Sequence, residues 1–151
     1  MEPIININEL FAIANDITNL DIYLYYDCFI INYTVNNLKY KSIIEYNNLE
    51  ECDEIDIVIG NDLHKMIHIE SFSYTSRFYS ETDHYFLKTK PKKLIKLSLD
   101  NLQGLDLNFL DGLTHLTLTD FDHTILDKLV LLPKSIKYID FINDSVIVQL
   151  S

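Results

Sequence analysis

The sequence predicts an α/β fold: a short leucine-rich-repeat-like solenoid with a parallel sheet, capped at its N-terminal end by a helix and a hairpin. Three observations carry this expectation. Leucine is crowded into the second part of the chain, where 15 of the 22 leucines fall in the last 58 of 151 residues. Three segments of that part share the pattern L-x-x-L-x-L, with starts 19 and 23 residues apart, at or just below the spacing of leucine-rich repeats. Residues 1–93 have another composition, with 9 of the 10 tyrosines, and their local patterns suit a cap or divergent repeats. The expected organisation is therefore a first unit over 1–93 and a repeat unit over 94–151.

At the N-terminus, Asn6-Ile7-Asn8-Glu9 offers a helix cap with a glutamate three residues on. Leu10, Ile13, Ala14 and Ile17 follow at helical spacing, which predicts an amphipathic helix over about 7–17. Phe29 to Val35 and Leu38 to Ile44 flank Asn36-Asn37, which predicts a hairpin over about 29–44 around a two-residue turn. Ile17-Thr18-Asn19-Leu20-Asp21-Ile22 and Cys52-Asp53-Glu54-Ile55-Asp56-Ile57 fit the repeat template if cysteine counts as apolar. The acidic run from Glu50 to Asp56 then reads as a solvated turn leading into a strand. Ser71 to Lys93, polar and aromatic with three lysines in its last four residues, reads as a long loop or unit boundary.

The three repeats are Leu94-Ile95-Lys96-Leu97-Ser98-Leu99, Leu113-Thr114-His115-Leu116-Thr117-Leu118 and Ile136-Lys137-Tyr138-Ile139-Asp140-Phe141. In each, L-x-L is a short strand whose alternate residues face inward, and the leading apolar residue tucks in at the bend before it. A single strand of this kind cannot bury its apolar face alone, so successive copies stack in parallel. Asn101, Asp120 and Asn143 recur seven residues after each start, where a polar side chain can satisfy backbone groups at the strand end. Pro91 and Pro133 each stand three residues before a start, marking an extended entry to the strand.

Leu113-Thr114-His115-Leu116, Phe121-Asp122-His123-Thr124-Ile125 and Leu132-Pro133-Lys134-Ser135-Ile136 together resemble the FNIP repeat, a divergent leucine-rich repeat of amoebae and the large viruses that infect them. Its usual form is LPxSLTHLxF followed by FNxPI. The resemblance covers roughly residues 90–143. Asp122 stands in place of the family's Asn and Thr124 in place of its Pro, and the 94–112 unit lacks the Phe-Asn element. What the resemblance implies is a non-catalytic protein-interaction module. Some members also carry an F-box, but the text after the helix at 7–17 is strand-like and does not read as one.

Charge and motifs narrow the function classes. The formal charge of −11 repels phosphate backbones and anionic lipid, so neither nucleic acid nor membrane is an expected partner. No stretch approaches about 18 apolar residues, and Met1 to Asn6 lacks the basic and apolar regions of a signal peptide. The expected location is intracellular, in the cytoplasm. Cys28 and Cys52 allow one disulfide by count, but nothing else suggests an oxidising compartment; Cys28 reads as a buried strand residue. No nucleophile elbow, phosphate loop, dinucleotide fingerprint or zinc-protease motif is present in the sequence, so no enzyme activity and no cofactor are expected. His64 and His68 share a face on a helix or a strand, with Asp62 or Glu70 as a third ligand, yet the ligand set is incomplete and a half-exposed strand explains them as well. Lys88, Lys90, Lys92 and Lys93 read as a solvated loop.

Stacking lines up the outward positions of successive strands. Lys96, His115 and Tyr138 form one column; Ser98, Thr117 and Asp140 a second; Asp100, Thr119 and Ile142 a third. The first two are the expected partner-binding residues, since solenoids commonly bind through this face; the alternative is plain solvated filler. The expected function is thus a non-catalytic protein–protein interaction module with another protein as its partner. Two other readings stay open: a metal- or cysteine-dependent enzyme built on the N-terminal half, and a decayed repeat fragment without selected function.

Overall fold

The computed structural model describes residues 4–25, 27–46, 50–76, 84–119, 125–141 and 146–149; for 50–53, 125, 126 and 146–149 only the backbone is described. The fold is mixed α/β. Among the described residues, eight strands form one sheet in the order β3-β2-β1-β4-β5-β6-β7-β8. They are β1 (Ile17–Leu24), β2 (Cys28–Val35), β3 (Leu38–Glu45), β4 (Ser71–Ser76), β5 (Lys96–Leu99), β6 (His115–Leu118), β7 (Tyr138–Phe141) and β8 (Val146–Gln149). β1, β4, β5, β6 and β7 run parallel to their neighbours in that series, whereas β2, β3 and β8 extend the two ends antiparallel.

The first helix, α1 (Ile7–Ala12), is shorter than the 7–17 expected. Asn6 caps it by accepting from the Glu9 N–H at 3.1 Å, and Glu9 reaches back to the Ile5 N–H at 2.9 Å. A single 3-10 turn, Ala14–Asp16, then hands the chain to β1. Ile17 is fully buried as the first strand residue, so its place in the apolar period was real but its element was not. Asn36 and Asn37 both take positive φ, 52° and 65°, the geometry that matches a two-residue turn to the twist of its strands.

Two expectations fail in the middle of the chain. Cys52–Ile57 is no strand: the acidic run lies inside α2 (Glu50–Asp62). Ile55, Ile59 and Leu63 are buried at intervals of four, so the helical period wins over the short alternation. Gly60 lets this helix approach closely, because a Cβ there would stand 2.8 Å from the Phe86 carbonyl oxygen. Nor is 71–93 one long loop: Ser71–Ser76 is β4, which joins β1 to β5. The sheet is therefore continuous across residue 93.

One local geometry recurs along the parallel strands. The N–H of Ile69, Leu94, Leu113 and Ile136 each donates to the carbonyl three residues earlier, at 3.1–3.3 Å. The next residue in line, Glu70, Ile95 or Thr114, offers its carbonyl to two successive N–H groups of the following strand. Ile69-Glu70-Ser71-Phe72-Ser73-Tyr74 thus takes the same position as the leucine segments. The core lies on one face of the sheet, where Leu20, Phe72, Leu97, Leu116 and Ile139 are each at most 2% exposed and in register with one another. α1 and α2 contribute Ile7, Leu10, Ile55 and Ile59 to it.

Candidate outer-face binding site

The opposite face of the sheet carries two polar rows. Strand pairing sets Asn19, Ser71, Lys96, His115 and Tyr138 side by side across β1, β4, β5, β6 and β7. One step along, Asp21, Ser73, Ser98, Thr117 and Asp140 form the second row, which Asn32 of β2 and Lys41 of β3 extend. All six residues singled out from the sequence lie in these rows, over β5–β7. Asn19, Asp21, Asn32, Ser71 and Ser73 continue them and had not been singled out. Their signal was the register of β1 with β2 and β4, which brings together residues far apart in the chain.

At one end of the first row, the His115 and Tyr138 rings stack with centroids 4.7 Å apart and planes 21° from parallel. Tyr138 is 39% exposed. His115 is oriented by Thr114. The Thr114 hydroxyl donates to the Ile95 carbonyl at 3.3 Å and lies 2.8 Å from His115 Nδ1. This contact fixes the ring's orientation whichever of the two groups donates. Lys96, exposed and opposite His115, adds a cation to the column.

At the other end, the face is hollowed into a concavity of about 470 Å³ spanning β3 to β4, with Asp21 in its lining. Asn32 and Ser73 flank Asp21, and Lys39 and Lys41 form one wall. Burial pushes the Asp21 carboxyl above the ordinary aspartate range, and hydrogen bonds with the Ser73 and Asn32 side chains oppose that shift. A half-buried carboxylate held by hydroxyl and amide groups can accept hydrogen bonds from a ligand and, when protonated, donate one.

The third expected column does not lie on this face. Asp100 is 2% exposed: the strand ends at Leu99, so alternation no longer holds and the carboxylate turns inward. It accepts from the Ser76 N–H at 3.0 Å and from the Thr119 hydroxyl at 2.8 Å, tying β4 to β6. Ile142, Asp120 and Asn143 lie outside the described residues, whereas Asn101 accepts from the Gln103 N–H at 2.8 Å as expected of a strand-end turn.

The remaining candidates take ordinary places. His64 sits exposed in a 3-10 turn, Leu63–Lys65, and His68 Nδ1 lies 3.1 Å from Lys93 Nζ. Asp62 pairs with Lys65 at 2.8 Å. No three His, Cys, Asp or Glu side chains among the described residues are grouped to hold one metal ion. Cys28 is half-buried on the outer side, not in the core, and is a free thiol. Burial and then Asp27 and Glu45 push that thiol up, away from the nucleophilic form; the Cys52 side chain is outside the described residues. Lys90 is no solvated loop residue. Its ammonium donates to the Pro91 and Leu94 carbonyls at 3.1 and 3.3 Å, and burial lowers its pKa against the opposing charge of Asp111. No described helix is long and apolar enough to cross a membrane. The chain matches no family model, no curated protein and no solved structure.

Proposed function

We propose that the chain is a short leucine-rich-repeat-like solenoid of the FNIP kind, acting as a non-catalytic protein-interaction module through the outer face of its sheet. The observation that carries this reading is the alignment of Lys96, His115 and Tyr138 on adjacent strands, with the two rings stacked and half-exposed. A cation, an oriented imidazole and a phenol in one line supply the donors and aromatic surface that concentrate binding energy at protein interfaces. The matching turns that begin at Pro91 and Pro133, with Leu94 and Ile136 each donating back at 3.2 Å, support the repeat reading. Each aligned strand adds one residue to each row, so the length of the stack sets the size of the recognised surface. The partner is another protein met inside the cell, and the second row of Ser98, Thr117 and Asp140 lies beside the column to complete the contact.

The test compares wild type with the Lys96→Ala, His115→Ala, Tyr138→Ala triple variant in affinity capture from source-cell lysate, with thermal melts run in parallel. A protein recovered only by wild type, with melting temperatures within about 3 °C, supports the reading. Equal recovery by both places the contact elsewhere and removes this face from consideration.

A further inference from the structure

β3 ends the sheet, and its outward edge is chemically self-complementary. The Tyr46 N–H donates to the Asp27 carbonyl at 3.0 Å, which fixes the phase of the β2–β3 ladder. Even-numbered residues of β3 bond to β2, and the N–H and C=O groups of Lys39, Lys41, Ile43 and Glu45 point away from it. No strand among the described residues pairs with that edge. Lys39, Lys41 and Glu45 are exposed, and Leu38 and Ile43 are 60% and 61% exposed. A free edge of eight residues, without proline and with two bare apolar side chains, is a template for another strand.

We propose that the occupant is β3 of a second copy of this chain, paired antiparallel about a two-fold axis at Ser42. Side-chain direction restricts the symmetric registers. Centring the pair on Lys41 sets Lys41 against Lys41. Centring it on Ile43 opposes Lys41 to Glu45 but leaves Leu38, Lys39 and Tyr40 without a partner within β3, whereas centring it on Ser42 leaves only Leu38 so. Centring it on Ser42 pairs Lys39 with Glu45 twice, sets Lys41 along Ile43 twice, and opposes Tyr40 to Ile44. Opposite charges directly across a strand pair stabilise it, like charges destabilise it, and the lysine stem covers the isoleucine. The overall charge of −11 disfavours contact between copies elsewhere, so two lysines on the edge strand are a local exception. Pairing here joins two sheets with their outer faces on the same side, and places the partner's Glu45 beside Lys39 at the wall of the Asp21 concavity. This inference is independent of the interaction-face reading, since it uses the edge and not the rows over β5–β7.

One strand pair is small for an interface, so the association belongs in the range of about micromolar or weaker. Sedimentation of the full chain between about 1 and 300 µM is expected to show conversion toward twice the 17.7 kDa mass. Lys39→Glu and Glu45→Lys each set like charges opposite one another and are expected to raise the dissociation constant by about tenfold or more. The double exchange, Lys39→Glu with Glu45→Lys, is expected to restore it to within about threefold of wild type. Both sites are exposed, and circular dichroism checks that the three variants fold. A wild type that stays monomeric throughout overturns the proposal and leaves the lysines as guards against edge pairing. A dimer indifferent to Lys39→Glu, or a double exchange that fails to recover, overturns the register.

Discussion

The strands β1–β3 are eight residues long and antiparallel, closely consecutive in the chain, whereas β5–β7 are four residues long and parallel, with starts 19 and 23 residues apart. Both regions bury one face of the same sheet, but they organise the other face differently. In β5–β7 each outward residue repeats a position, so the rows vary by residue type on a fixed grid. In β1–β3 the hairpin register gathers residues into a hollow with Asp21 in its lining, bounded by the lysines of β3. Repetition extends the rows strand by strand; the antiparallel pairing beyond them surrounds a hollow. β4 belongs to both, pairing with β1 and with β5.

The strongest way to break the comparison is to weaken β4. Phe72 is fully buried, and Phe72→Ala is expected to cost about 3–5 kcal/mol. If the two regions are one cooperative unit, urea titrations followed by tyrosine fluorescence and by circular dichroism stay coincident in this variant. Separated transitions would show that the regions unfold independently. Asp100→Ala removes a carboxylate that accepts from Ser76 and Thr119. Its expected cost is about 1–3 kcal/mol, and an effect near zero would mean that water replaces the tie.

Smaller effects should come from β1–β3. Asn37 has φ of 65°, so Asn37→Gly is expected to stabilise the chain by under about 1 kcal/mol, read as a shifted denaturation midpoint. Asp21→Asn tests the concavity. Because the folded carboxyl titrates above its unfolded value, folding of the charged form is penalised at neutral pH. That penalty fades as pH falls through the folded pKa, and is absent below the unfolded one. The variant should therefore melt slightly above wild type at pH 7, with the gain shrinking in acid. A gain that grows in acid would reverse the sign and point to a stabilising charge.

The leucine segments were legible because spacing and alternation are local. Their outward residues could be placed in rows before any register was known. Ile69-Glu70-Ser71-Phe72-Ser73-Tyr74 occupies the same position without their signature, since aromatic residues replace leucine and no proline stands three residues before it. Glu54-Ile55-Asp56-Ile57 satisfied the strand period over four residues, and only Ile59 and Leu63, further on, decide for a helix. Asp100 was misplaced because alternation was extended one residue beyond the end of the strand. The Asp21 site was not legible at all: Asn32 and Ser73 reach it only through pairing across β2 and β4.

The position of β4 also orders events in time. β2 finds β1 across residues 25–27, but β4 must find β1 across residues 25–70. Closing a longer loop costs more chain entropy, and distant pairings slow folding. We expect β1–β3 and β5–β7 to assemble as separate nuclei, with the β1–β4 seam closing last. Phe72→Ala should then speed unfolding and change the refolding rate by less than about twofold. A refolding rate that falls as far as the stability would put the seam in the nucleus. Until it closes, the facing edges of β1 and β4 are both bare, and in that interval the nascent sheet is most open to capture by a neighbouring chain.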